Sequence, residues 1–169
     1  LPERVLELMA LSAQRHLKID GNVDSQNGPW KLSLDIPTYT AFMSYSEDRS
    51  LRETLYKAFV SRASNGNENN NQIIEEILNL RTKQSKLLGY NSWAELSLST
   101  KMACKIDNVE KLLEELREPS FKAAELELKN LNNFAHENGF NTDNQLQPWD
   151  ISYWSELLRK EKFNLDQEA

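Results

Sequence analysis

The sequence predicts an all-α fold of several helices, with at most one short strand or hairpin near residues 30–35. Leucine occurs 25 times against 7 isoleucines and 4 valines, a balance that favours helix over sheet. Every long apolar period is helical, and only Trp30-Lys31-Leu32-Ser33-Leu34 alternates with the period of a strand. In the first helix Val5, Met9, Ala13 and Leu17 recur every fourth residue, and Pro2 with Glu3 suits its opening turn. Asp20 to Pro29 is turn chemistry. Pro37 opens a short helix bearing Tyr39, Phe42 and Met43, and Asp48 caps the next, where Leu51, Leu55 and Phe59 form a stripe. The polar run SNGNENNN at 64–71 predicts a mobile loop between helices, so 1–169 reads as a single helical domain or segment.

Ile73, Ile74, Ile77, Leu80 and Leu88 predict a further helix ended by Gly89, and Ser92 with Glu95 forms a capping box just beyond. Asp107 and Glu110 repeat that box. An apolar path then runs through Val109, Leu113, Leu116, Ala124, Leu128, Leu131 and Ala135 to a stop at Gly139. Pro119 lies inside it and predicts a kink or a break, because an interior proline removes a donor and clashes one turn back. Pro148 opens a last helix with Trp149, Tyr153, Trp154, Leu157 and Leu158, fading after Phe163. The expected core is Val5, Met9, Leu51, Leu55, Phe59, Ile74, Ile77, Leu113, Leu116, Leu128 and Leu131.

Twenty-six acidic against 20 basic residues, a net charge of −6, oppose a nucleic-acid or anionic-membrane partner. No apolar run approaches the roughly 18 residues needed to span a bilayer, and the N-terminus lacks a signal-peptide profile. The single cysteine, Cys104, excludes an internal disulfide and points to a reducing compartment. Together these predict a soluble, intracellular protein. The first residue is Leu1 where an initiator Met would stand, which reads as a processed, trimmed or excised product.

His16 and His136 lie on different predicted helices. His136-Glu137-Asn138-Gly139-Phe140 begins like HExxH, but the second ligand position holds Phe140 and Gly139 ends the helix before it, so His136 reads as a helix-end histidine. Cys104, between Lys101 and Lys105, has no histidine near it in sequence and reads as an ordinary part-buried thiol. Glu75 with Glu76 and Glu114 with Glu115 are adjacent on helices, point apart, and read as solvated faces. Trp30, Trp93, Trp149 and Trp154 read as core. No phosphate loop spacing occurs. Catalytic, cofactor-binding and metal residues are therefore all assigned as none.

Several stretches, in order and nearly end to end, resemble the thimet oligopeptidase and oligopeptidase A family of zinc metallopeptidases. They are Trp30 to Tyr39 (WKLSLDIPTY), Arg49-x-Leu51-Arg52-Glu53-x-x-Tyr56-x-Ala58 running on to Arg62-Ala63-Ser64, and Ile73 to Arg81 (IIEEILNLR). Leu87-Leu88-Gly89-Tyr90, Ala94-Glu95-x-Ser97-Leu98, Lys101-Met102-Ala103 and Leu146-x-Pro148-Trp149-Asp150-x-x-Tyr153 complete the set. The resemblance implies a multi-helix segment of a zincin-type oligopeptidase, which cleaves short peptides in a channel between two mostly helical halves. It also implies that zinc, the HExxH helix and a further glutamate ligand belong to the full-length family and not to this chain, whose matching positions are mostly scaffold.

Two functions follow as expectations. One is a non-catalytic helical segment or truncated form of such a peptidase, inactive alone. The alternative is a stand-alone helical module that binds a protein or peptide. Expected partners are a second copy of the chain or the remaining parts of the peptidase, through surfaces such as Trp30 and the face of Tyr153, Trp154 and Leu157.

Overall fold

The computed structural model describes residues 1–18, 24–141 and 145–163, and among them every regular element is helical. The helices are α1 (Glu3–Leu17), α2 (Ile36–Tyr45), α3 (Arg49–Val60), α4 (Asn71–Leu87), α5 (Trp93–Leu98), α6 (Ile106–Glu137) and α7 (Pro148–Phe163), with a 3₁₀ turn at Gly66–Glu68. Two compact units divide the chain, one of Leu1–Val60 with Leu128–Ala169 and the other of Ser61–Glu127.

The first unit buries its apolar surface in two clusters. Val5 and Met9 of α1, Phe42 and Met43 of α2 and Leu55 of α3 form one, with Leu32, Leu34, Tyr39, Ala41, Tyr56 and Trp149 packed around them. Side-chain caps set the starts of α2 and α3. The Asp35 carboxylate accepts from Thr38 N–H at 3.1 Å ahead of Pro37, and the Asp48 carboxylate accepts from Leu51 N–H at 3.0 Å. The alternation of Trp30 to Leu34 proves to be packing rather than strand pairing. Lys31 N–H donates to the Met9 carbonyl of α1 at 3.0 Å, while Leu32 and Leu34 turn onto the cluster. The only bridge among the described residues is the isolated pair Asp24 and Gly28. Of the expected turn at Asp20 to Pro29, residues 20–23 lie outside the described residues.

The second cluster joins Leu131, Phe134 and Ala135 of α6 to Trp154 of α7. The Trp154 ring meets Phe134, Phe140 and Tyr153 edge-on, with centroids 6.3, 5.9 and 5.4 Å apart. This overturns the expectation of a bare aromatic face here, since Trp154 is buried and Tyr153 and Leu157 are half-buried against α6. Trp30 is exposed, so the core reading of that residue does not hold.

The second unit is differently built. Its one buried residue is Ser85, and its internal ties are polar or aromatic. Ser92 Oγ accepts from Glu95 N–H at 3.2 Å, the Glu95 carboxylate accepts from Asn91 N–H at 2.9 Å, and the Arg81 guanidinium lies 5.3 Å from the Trp93 ring. The capping box expected at Asp107 and Glu110 falls inside α6, which begins a residue earlier at Ile106. The Ser64–Asn71 run holds the 3₁₀ turn, closed by Asn70 N–H on the Ala63 carbonyl at 2.8 Å. Gly89 and Gly139 both follow helix ends with positive φ, +83° and +92°, where a side chain would be strained.

Of the kink or break expected at Pro119, the break does not occur, and α6 is continuous over 32 residues. The whole stretch from Glu110 to Asn130 is solvent-exposed, so the carbonyl that loses its partner can turn to water. The helical phases are right, but several stripes do not face a core. Val5, Met9, Leu55 and Leu131 are buried and Phe59 is half-buried, whereas Leu51, Ile74, Ile77, Leu113, Leu116 and Leu128 are all at least 42% exposed. Leu55→Ala should therefore cost roughly 2 to 5 kcal/mol in urea unfolding. Leu116→Ala in the same chain should cost under about 0.5 kcal/mol.

Candidate functional site

The most concentrated polar chemistry lies where the first turns of α3 and α7 meet. Asp150 stands in the opening turn of α7, just inside Pro148 at the helix start, where a carboxylate complements the helix dipole. Its side chain is wholly removed from solvent. Arg49 and Arg52, one turn apart on α3, converge on it. Arg49 Nε donates to both Asp150 oxygens at 3.0 and 3.1 Å, and Arg49 Nη2 to Oδ2 at 2.9 Å. Arg52 Nη2 donates to Oδ1 at 3.0 Å, and Gln147 N–H donates to Oδ2 at 3.0 Å.

One carboxylate facing two guanidinium groups leaves a positive charge over, and the other two nitrogens of Arg52 also find acceptors. Arg52, 2% exposed, donates through Nε to the Trp149 carbonyl at 3.0 Å and through Nη1 to the Ser46 carbonyl at 2.7 Å. Its guanidinium lies 4.3 Å from the centre of the Tyr153 ring. Arg49 is flanked by the Phe140 and Trp149 rings at 5.6 and 5.7 Å. Burial pushes the Asp150 carboxyl up, but hydrogen bonds from Arg49, Gln147 N–H and Arg52 outweigh it and hold the group below the ordinary carboxylate range. Asp150 thus stays ionised at neutral pH, and the cluster clamps two helices.

The residues weighed for chemistry in the sequence do not gather. His136 sits in the last turn of α6, which ends at Glu137. Its Nδ1 lies 3.2 Å from the Phe140 carbonyl oxygen, an acceptor, so that nitrogen carries the hydrogen. Phe140, in the position a second zinc histidine would need, packs its ring against Trp154 and His136. His16 is exposed near the end of α1. Among the described residues no three His, Cys, Asp or Glu side chains lie together as a metal set.

Cys104 is exposed, not part-buried. The neighbouring Lys101 ammonium binds Ser97 Oγ at 2.8 Å. Glu114 pairs with Arg117 through hydrogen bonds of 2.7 and 2.5 Å, and Glu115 lies 3.9 Å from Lys111, so these carboxylates serve exposed helix faces. No helix of the described residues is long and apolar enough to cross a membrane.

Arg49, Arg52 and Asp150 were each visible in the sequence as part of the family resemblance, but their meeting was not. About a hundred residues separate the partners. The usable signal was an acidic residue directly after Pro-Trp at a helix start, in a stretch otherwise aromatic and apolar.

A buried charge clamp thus joins two helices of the first unit. Peptidase family M3 matches residues 42–169. The organellar oligopeptidase A of Arabidopsis thaliana (chloroplastic/mitochondrial) is 40% identical over 168 residues, covering 99% of this chain and 21% of that protein. The probable cytosolic oligopeptidase A of the same plant is 40% identical over 99% of this chain and 24% of its own. Oligopeptidase A of Escherichia coli is 39% identical over 81% of this chain and 21% of its own. The chain belongs to peptidase family M3. It spans between a fifth and a quarter of the length of these relatives.

Removing the clamp's acid leaves two buried or half-buried cations facing each other, so Asp150→Ala should lower stability by about 3 to 5 kcal/mol in urea unfolding. Because the folded-state carboxyl titrates below its unfolded value of about 3.9, its contribution is complete above that pH and lost as pH falls through the lower folded value. The urea midpoint should therefore drop below pH 4, and that part of the drop should vanish in Asp150→Asn.

Proposed function

We propose that this chain is a non-catalytic helical segment of a zinc metallo-oligopeptidase, supplying scaffold for peptide cleavage by an enzyme whose zinc ligands lie outside it. The observation that supports this reading most is a match over 99% of this chain that takes up only 21% of a relative named as an oligopeptidase. The zinc of such enzymes, when bound, polarises the scissile carbonyl and activates a water.

The residues present do not fit that metal. The only HE pair stands where α6 stops, and Phe140 fills the second ligand position. What this chain's own residues do is hold α3 and α7 at a fixed angle of approach through Arg49, Arg52 and Asp150, which fixes the surfaces those helices offer. Relatives whose names place them in the cytosol or in chloroplasts and mitochondria support a soluble, intracellular setting for the chain.

The test replaces the matching segment of the Arabidopsis organellar oligopeptidase A with this chain and assays a quenched fluorescent peptide. The chimera should cleave it in a metal-dependent way, with His136→Ala within about twofold of the parent chimera, while the 169-residue chain alone shows no turnover. Metal-dependent turnover that copurifies with the chain alone and disappears in Glu137→Gln would overturn the reading. An intact, folded chimera without activity would count for a separate helical binding module instead.

A further inference from the structure

The second unit has no buried apolar side chain, yet its two long helices are patterned as if they had a core to face. On α4, Ile73, Ile77 and Leu80 share one side at 42 to 56% exposure, while Glu75, Glu76, Asn79, Lys83 and Lys86 take the other. On α6, Leu113, Leu116, Ala124 and Leu128 follow one another by steps of three, eight and four residues, continuing in phase to Leu131 and Ala135. The last two are buried in the α6–α7 cluster, at 6% and 0% exposure. Leu113, Leu116 and Leu128 are 60, 56 and 47% exposed. One face of one helix is thus core at its end and bare for the turns before it. A helix meant to bridge solvent is polar all round, and an apolar stripe sustained over several turns marks a contact surface.

We infer that the stripes of α4 and α6 are docking surfaces for the remaining polypeptide of the peptidase, an inference that rests on the segment reading above. The length of that missing partner supports this occupant: a relative matched by 99% of this chain has about four fifths of its own length outside the match. Charge argues against a second copy of the chain. From Ile106 to Lys129, α6 carries Asp107 and six glutamates against Lys111, Arg117, Lys122 and Lys129, and the whole chain is at −6, so self-pairing along α6 sets like charges together.

The test compares the 169-residue chain with the chimera in two variants, Leu113→Glu/Leu116→Glu on α6 and Ile77→Glu on α4, with Lys83→Glu on the polar side of α4 as control. In the isolated chain all three should leave helicity and the unfolding midpoint unchanged, because these positions already face water. In the chimera, α4 and α6 amides should exchange hydrogen at least about tenfold more slowly than in the isolated chain, and both stripe variants should lose at least about tenfold in turnover or soluble yield while the control does not.

An active chimera whose stripe variants match the parent, or whose α6 amides exchange as fast as in the free chain, would overturn the docking surface and leave the segment reading standing. Should the chimera fail to fold, sedimentation of the chain with the relative lacking its matching segment decides instead. Binding lost in the stripe variants supports the inference, and absence of binding by the unaltered chain overturns it. A homodimer of the isolated chain that Leu113→Glu/Leu116→Glu dissolves would also overturn it, by making a second copy the occupant.

Discussion

A carboxylate with no exposure to water is tolerable only if its charge and lone pairs are met, and Asp150 meets them with Arg49, Arg52 and Gln147 N–H. That requirement ties the start of α7 to the start of α3 across about a hundred residues of chain. Once α7 is held there, Trp149 joins the α1–α2–α3 cluster and Trp154 joins the α6–α7 cluster. Arg52 links the same corner to the chain entering α3, through the Ser46 carbonyl. The clamp selects this arrangement because breaking one partner leaves an unpaired charge in a dry corner, a cost that no slipped packing of the leucines would offset.

The clamp also explains how so few apolar contacts suffice in the first unit. Its two clusters contain nine buried side chains between them, and the aromatic rings there do double duty. Tyr153 covers Arg52, Phe140 and Trp149 flank Arg49, and Phe140 also packs edge-on against Trp154. Polar and apolar packing are interleaved, so the arginines are shielded by the rings that they help to order. The second unit lacks any such centre, and its two long helices are bare on their apolar sides. Beside relatives about four to five times as long, this chain offers a rigid corner and two helical faces.

Helix identity and most helix ends were legible in the sequence because they are local properties. Asp35, Asp48 and Ser92 each bond an amide three residues on, and apolar spacing sets the phase of α1, α3, α4 and α6. Burial was not local. The spacing of Leu113 and Leu116 matches that of Leu131 and Ala135, and only the presence of α7 beside the last turns makes the second pair core. The alternation of Trp30 to Leu34 likewise shows that two residues turn inward, but not that a helix, through the Met9 carbonyl, would be their neighbour.

The sequence by itself determined the helical class and the caps at Asp48 and Ser92, since each depends on residues within a few positions of one another. Tertiary structure alone decided that Arg49, Arg52 and Asp150 form one buried cluster, that Pro119 is carried inside an unbroken helix, and that the stripes of α4 and α6 face water. Those outcomes depend on what lies beside each helix in space. A pattern of spacing states which side of a helix seeks cover, but the cover itself comes from elements distant in sequence.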